Sequence, residues 1–298
     1  MKICVIFGGI SKEHDVSIVS GTSVIKNLNK QKYQIIPMYI DKDGIWYKYL
    51  KDVNQLNILK IGEELEKVDN FVDIIRQCDI VFPVLHGIGG EDGSIQGLCK
   101  ILNKPIVGCG ILASSIGMDK VYTKAILEKA KIRQTKYQYV RKIENNYIYI
   151  DSNFNEKEEK LDNICSEIAK SLLYPMFIKP SNSGSSVGIM KANNLVELKE
   201  AIVYAGNYDE KIIIEQGIDG REIECAVIGN EKVEASCVGE IVSADDFYSF
   251  NAKYKNSESR TIIPAEISKE ISDEIRRIAI KAFKAIDGKG LARVDFFV

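Results

Sequence analysis

The chain has 298 residues and a net charge of −2, with 40 basic and 42 acidic side chains interspersed, which excludes the electrostatic footprint of a nucleic-acid or anionic-membrane binder. At 45% hydrophobic and 28% charged it has the composition of a soluble globular protein, long enough for two or three subdomains. Seven cysteines without a C-x-x-C exclude a disulfide framework or zinc ribbon, and only two histidines, His14 and His86, leave carboxylates to hold any metal, which favours magnesium or manganese.

In chain order, "KICVIFGG" is a short apolar strand ending in glycines, too short for a signal peptide or a membrane span, so a cytoplasmic protein is expected. "VSIVSGTSVIKNLN" predicts a helix and "YQIIPMYI" a strand. "DIVFPVLHG" and "KPIVGC" predict further strands, with "GSIQGLCKILN" as a helix between them. Such alternation implies a mostly parallel sheet, with ligands expected at the carboxyl ends of its strands, here "GGISKEHDVS" and "LHGIGGEDGS". "DKVYTKAILEKAKI" predicts a helix, and residues 142–162, polar and without clear period, a solvated insertion. From "YPMFIKP" onward strands dominate, interrupted by the helix "NLVELKEAIVYAG", which predicts one antiparallel sheet with a helix on one side. A polar loop over 241–263, the amphipathic helix "KEISDEIRRIAIKAFKAI" and the strand "LARVDFFV" complete the chain.

Three stretches carry chemistry. In "FIKPSNSGSSVGI" a lysine closes a strand before a Gly/Ser loop whose N–H and hydroxyl groups can fold over phosphate oxygens. It lacks the G-x-x-x-x-G-K-[ST] order, and a plain polar hairpin turn also fits it. In "IIIEQGIDGREIE", Glu215 closes one strand and Glu222 opens the next, which suits an adenine and a ribose hydroxyl but also solvated strand ends. In "LARVDFFV", strand alternation puts Arg293 and Asp295 on one face.

Together with "FGGISKEHDVS", "VFPVLHGIGGEDGSIQG", "ASSIGMDKVYTK" and "FYSFNAKY", these stretches resemble, in order and separation, the D-alanine–D-alanine ligases of the ATP-grasp superfamily, over the whole chain. The resemblance implies a multidomain α/β and α+β protein, an N-terminal parallel α/β domain followed by a two-part ATP-grasp fold. The expected divisions are 1–110, a helical and strand linker over 111–173, a central subdomain over 174–218, and an incomplete C-terminal subdomain over 219–298. It implies an ADP-forming reaction for peptidoglycan precursor synthesis, using ATP with Mg2+ or Mn2+. The carboxylate of one D-alanine takes the γ-phosphate, and the amine of a second then displaces it. A homodimer is implied as well.

Carried over residue by residue, the resemblance implies that Lys120 and Lys179 contact ATP phosphates and that Ser183, Ser185 and Ser186 cover them. Glu215, Gln216 and Ile218 would read adenine, and Glu222 the ribose. Asp15, Ser185 and Tyr254 would form a hydrogen-bonded link across the site, Lys253 would reach the transferred phosphate, and His86 would lie near the first D-alanine. Arg293 would stabilise the developing oxyanion, and Asp295 would bind metal.

Two departures stand out. Asp15 takes a position where the family has glutamate, with Glu13 close enough to share its task. The family also continues past the Arg-x-Asp strand to further metal ligands, so a truncated chain is expected, and impaired or absent ligase activity only if the natural protein ended here. Rival readings are a D-alanine–D-serine ligase of the vancomycin-resistance type and a nucleotide-binding remnant. A different ATP-grasp ligase would leave "LHGIGGEDG" unexplained, and Lys253 with Tyr254 suits an amine rather than D-lactate. Because an acylphosphate open to water hydrolyses, Tyr254→Phe is expected to raise ATP hydrolysis without peptide formation. Unchanged coupling in a combined ADP and dipeptide assay would remove the tyrosine from that role.

Overall fold

Strand β1 (Lys2–Gly8) is apolar from Ile3 to Phe7, so both of its faces need cover. They have it in a computed structural model, which describes residues 1–55, 64–151, 154–184, 187–242 and 260–298. Ile3, Val5 and Phe7 pack with Ile25 of α1 (His14–Asn27). Cys4 and Ile6 pack on the other face with Ile75 of α2 (Phe71–Arg76) and Ile95 of α3 (Ser94–Ile101). Gly21 allows α1 its close approach, since a Cβ there would lie 2.6 Å from the Cβ of Phe7.

The sheet runs β4 (Leu65–Lys67), β3 (Trp46–Tyr49), β2 (Gln34–Ile40), β1, β5 (Ile80–Pro83). Its β2–β1–β5 core is parallel and its other two strands antiparallel. Residues 104–109, expected as a strand, make only one parallel bridge, Val81 to Ile106. Pro105 has no N–H to extend a ladder, and Gly108, at φ 118°, turns the chain away towards α4 (Ile111–Met118).

Residues 1–117, 228–233 and 287–292 form one compact unit; residues 118–227, 234–286 and 293–298 form a second. The second contains α5 (Lys120–Lys129) and a six-stranded antiparallel sheet. Its order is β10 (Met190–Ala192), β9 (Met176–Pro180), β11 (Lys211–Gln216), β6 (Tyr137–Ile143), β7 (Asn146–Ile150), β8 (Glu156–Glu159). Ile178, Ile212 and Ile214 face α6 (Leu161–Ser171) and α7 (Leu195–Ala205) in the larger core. Ile213, one residue out of phase, packs on the opposite face with Val121 of α5.

The expected solvated insertion at 142–162 is therefore corrected: it supplies the β6–β7 hairpin, β8 and the start of α6. Tyr147 and Ile150 of this region are buried. Its polarity belongs to β8, an edge strand of Glu and Lys for which a charged face guards against further pairing.

The single sheet expected from residue 176 is also two. Beyond β11 the chain turns at Gly217, where a Cβ would meet the Pro175 carbonyl oxygen at 2.8 Å. A four-stranded sheet follows, ordered β14 (Arg260–Ile262), β13 (Val233–Val242), β12 (Glu222–Gly229), β15 (Gly290–Phe297). Helix α8 (Lys269–Ala285) buries Ile275, Ala279, Ala282 and Phe283. Among the described residues, no helix is long and apolar enough to cross a membrane.

Candidate functional site

Two constellations emerge, one in each unit. In the first, β1 ends in Gly8 and Gly9, both at positive φ (89° and 94°), which only glycine adopts without strain. The Gly8 N–H donates to Ser17 Oγ at 2.8 Å, and the Gly9 N–H to the Ile40 carbonyl at 2.8 Å. Buried His14 lies 2.6 Å through Nδ1 from the Gly9 carbonyl oxygen and 3.1 Å through Nε2 from Tyr39 Oη. A carbonyl can only accept, so Nδ1 carries the proton and Nε2 accepts from the tyrosine.

The turn held in this way carries Ser11, whose hydroxyl donates to the His86 carbonyl at 2.6 Å and accepts from the Glu13 N–H at 3.1 Å. Glu13 is buried, and its Oε2 lies 2.5 Å from where a Cβ on Gly87 would sit, so the carboxylate covers the glycine loop of "LHGIGGEDG". His86 Nε2 is 3.0 Å from Ser20 Oγ, and its Nδ1 is 3.9 Å from a Glu91 oxygen.

Asp15 is not part of this group. Its side chain is 82% exposed and paired with Lys42 at 3.3 Å. The buried side of α1 is taken by His14, Ser17, Gly21 and Ile25, leaving Asp15 to point outward. The acid at the glycine loop is Glu13, which corrects the expectation for Asp15.

The second constellation lies on the α5 side of the six-stranded sheet. Lys179 on β9 stands opposite Ile213 on β11, so Lys179 and Glu215 share one face. Lys120 and Lys124, four apart on α5, share a side of that helix. Lys124 Nζ lies 2.7 Å from Glu215 Oε1, and Lys179 Nζ 2.7 Å from Oε2. Thr135 Oγ1 also donates to Oε1 at 2.8 Å. Burial pushes the Glu215 carboxyl up, but Lys179 and Lys124 outweigh it and hold the group well below the usual carboxylate range.

Asp119 caps α5, accepting from the N–H groups of Val121 and Tyr122 at 3.0 and 3.1 Å. It also accepts from Ser181 Oγ at 2.8 Å and Lys211 Nζ at 2.6 Å. Lys120 is different: its Nζ donates to the carbonyls of Ser181 at 3.2 Å and Ser183 at 2.5 Å. Among the described residues it forms no ion pair. Burial, then the Lys179 ammonium, lowers its pKa to about 8. A part-buried cation held by carbonyl dipoles, beside a second lysine and a helix N-terminus, is suited to receive an anion.

Around this centre, Gln216 turns its side chain to the Leu173 N–H at 3.3 Å, and its own N–H donates to the Lys136 carbonyl at 3.0 Å. Ile218 is exposed, and Glu222 is half-buried at the start of β12. Arg293 and Asp295 do share one face, yet more than half of each side chain is exposed. Arg293 grips Asp295 through two bonds of 2.8 and 2.9 Å, and its Nη1 lies 3.2 Å from Glu224. No group of three or more His, Cys, Asp or Glu side chains could hold a metal among the described residues. Asp295 is a carboxylate of the kind magnesium takes when phosphates and water complete its shell, with both of its oxygens bonded to Arg293 in this structure. Ser185, Ser186, Lys253 and Tyr254 lie outside the described residues.

Reading the sequence alone missed Asp119, Lys124, Thr135, Ser181 and Lys211. The "MDK" start of α5 contained a cap signal, since Asp before a helix is a preferred N-cap. Nothing local marked the partners that strand pairing brings to it. A concavity of about 900 Å3 at the ends of β6 and β7, lined by Tyr137, Tyr139, Tyr149 and Phe154 among others, includes Thr135 but none of the residues expected from the sequence.

Comparison with known proteins gives a consistent picture. The family described as "D-ala D-ala ligase N-terminus" matches residues 2–109, and "D-ala D-ala ligase C-terminus" matches 143–298. A D-alanine–D-alanine ligase of Acetivibrio thermocellus is 44% identical, with all of this chain and 83% of that protein covered. D-alanine–D-alanine ligase B of Clostridium tetani is also 44% identical, with 100% and 80% covered. Among solved structures, the VanG D-Ala:D-Ser ligase of Enterococcus faecalis has a TM-score of 0.83 at 33% identity, with 99% of this chain and 85% of that one covered. The D-alanine–D-alanine ligase of Coxiella burnetii has a TM-score of 0.78 at 28% identity, with 100% and 80% covered.

The Asp119–Lys211 pair is nearly enclosed, with side-chain exposures of 10% and 13%. Asp119→Ala leaves that ammonium without its partner and removes the cap, so a loss of about 3–5 kcal/mol is expected in urea unfolding. A loss below about 1 kcal/mol would contradict the pairing.

Proposed function

This chain belongs to the D-alanine–D-alanine ligase family, a family of ATP-dependent carbon–nitrogen ligases, and from that premise we propose that it joins two D-alanines through an acylphosphate. Lys120 is the observation that carries the nucleotide half: a part-buried ammonium whose partners are carbonyls, next to Lys179. In this reading both lysines take ATP phosphate oxygens and Ser183 lies against them. Glu215, held ionised, accepts from the adenine amine, with the main chain of Gln216 and Ile218 alongside and Glu222 on the ribose.

For the first D-alanine, Glu13 takes the role that Asp15 was expected to fill. A buried carboxylate over a glycine loop is suited to an ammonium group, and His86 lies one residue before that loop. The first substrate's carboxylate oxygen attacks the γ-phosphorus and ADP leaves; the second amine then attacks the acyl carbon and phosphate leaves. The lysines offset charge on the transferred group, and Arg293 serves the oxyanion once it releases Asp295. Magnesium, when bound, spreads the phosphate charge, and Asp295 is the carboxylate offered to it. Ser185, Ser186, Lys253 and Tyr254 keep their proposed parts as the closing and coupling residues.

The second substrate separates two readings. Relatives 44% identical over the whole of this chain are D-alanine–D-alanine ligases, which supports D-alanine. The likeness to a D-Ala:D-Ser ligase at a TM-score of 0.83 favours D-serine as the alternative. A cytoplasmic homodimer is the proposed setting.

A coupled ADP assay with dipeptide detection is expected to show D-alanyl-D-alanine formed faster than D-alanyl-D-serine. Glu13→Gln is expected to raise the KM of the first D-alanine by about 10–100-fold, the size of one charge-assisted hydrogen bond, and Asp15→Asn to change it less than about twofold. The opposite ranking would return Asp15 to the site, and failure to form either dipeptide would overturn the ligase reading.

A further inference from the structure

Lys124 has no part in the reading so far, yet it is the more enclosed of the two lysines paired with Glu215, with a side chain only 12% exposed. Its ammonium is fixed on several sides: Glu215 Oε1 at 2.7 Å, Thr135 Oγ1 at 2.8 Å, and the Tyr137 ring centroid at 5.2 Å. Its own carbonyl accepts from Gln134 Nε2 at 2.9 Å, which holds that part of α5 against the same segment. Lys179, the other partner of Glu215, is twice as exposed at 25%.

That asymmetry has a consequence when a nucleotide arrives. Phosphate oxygens compete with Glu215 for the Lys179 ammonium, and the Lys179–Glu215 bond weakens as they succeed. A carboxylate as buried as Glu215 cannot stay ionised without a cation; it would take up a proton and become a donor. Lys124 is too enclosed to follow the phosphates.

We propose that Lys124, seated by Thr135, is the positioning residue that keeps Glu215 an ionised, acceptor-only carboxylate while Lys179 turns to phosphate, and thereby sets the preference for adenine. The inference rests on the proposed contact between Glu215 and adenine. An adenine base presents an amine that donates to such an acceptor. A hypoxanthine base presents a carbonyl oxygen in the same place and is repelled by it. Thr135 adds a second donor to the same Oε1, so that oxygen is already occupied and the other is left for the base.

The test compares ATP with ITP as phosphoryl donors in the ligase assay. Lys124→Met keeps the length and removes the charge; it is expected to lower the ATP-over-ITP ratio of kcat/KM by about tenfold or more, with the loss falling on the KM for ATP. Lys124→Arg should restore most of the ratio, because the charge is retained. Thr135→Val, a smaller perturbation, should shift the ratio in the same direction and serves if Lys124→Met does not fold. An equal loss for both nucleotides, or an unchanged ratio in Lys124→Met and Thr135→Val, overturns the inference. If the unmodified protein itself shows no preference for ATP, the adenine reading of Glu215 fails first, and that outcome is separable from the others.

Discussion

Two buried carboxylates, Asp119 and Glu215, hold lysines at fixed places on one face of the six-stranded sheet, and the seating of α5 on that sheet depends on them. Each carboxylate does double service. Asp119 caps α5 and ties it to Ser181 and Lys211; Glu215 binds α5 through Lys124 and β9 through Lys179. Removing either acid would leave enclosed ammonium groups unpaired, at a far higher cost than losing a surface pair. What the acids do not do is neutralise every lysine. Lys120 lies beside this network with carbonyl partners, so the helix and strands are held in register while a positive charge stays available.

The first unit solves a different problem with fewer charges. Its glycine turn needs positive φ at Gly8 and Gly9, which gives the backbone freedom to lie in several ways. Ser17, His14 and Tyr39 remove that freedom by taking up the turn's N–H and carbonyl groups. The result is a Glu13 carboxylate held over Gly87, at the carboxyl end of a parallel sheet where such folds place their ligands.

Much of this was legible in the sequence, and the parts that were not have a common cause. The α/β beginning, the two-part ATP-grasp remainder and the family followed from motif order. The same motifs named Lys120, Lys179 and Glu215, and the structure pairs Lys179 with Glu215. The resemblance points to Asp15 with Glu13 nearby, and the sequence does not reveal which side of a helix start is buried; His14 and Ser17 decide that through tertiary contacts. The 142–162 region read as solvated because β8 is a charged edge, although β7 beside it contributes Tyr147 and Ile150 to the interior. Gln216 was grouped with the adenine segment, but β alternation turns its side chain to the opposite face from Glu215. Arg293 and Asp295 do share a strand face, yet their mutual grip and the approach of Glu224 could not be read from two letters in a run. For Asp15, β7 and the approach of Glu224, the missing information was a contact between segments apart in sequence.

The central claim, that Lys120 is a cation awaiting phosphate, is tested most directly by the pH dependence of ADP binding, measured by calorimetry. Burial lowers the Lys120 pKa to about 8 in the free protein, and bound phosphates raise it again. The sign follows from linkage: above that pH, binding must take up a proton, so affinity falls as pH rises, towards about tenfold per pH unit, while the ADP phosphates stay ionised throughout. Lys120→Arg, which keeps its charge, should lose this dependence. An affinity that stays flat from about pH 7 to about pH 9.5 in the unmodified protein would contradict the account.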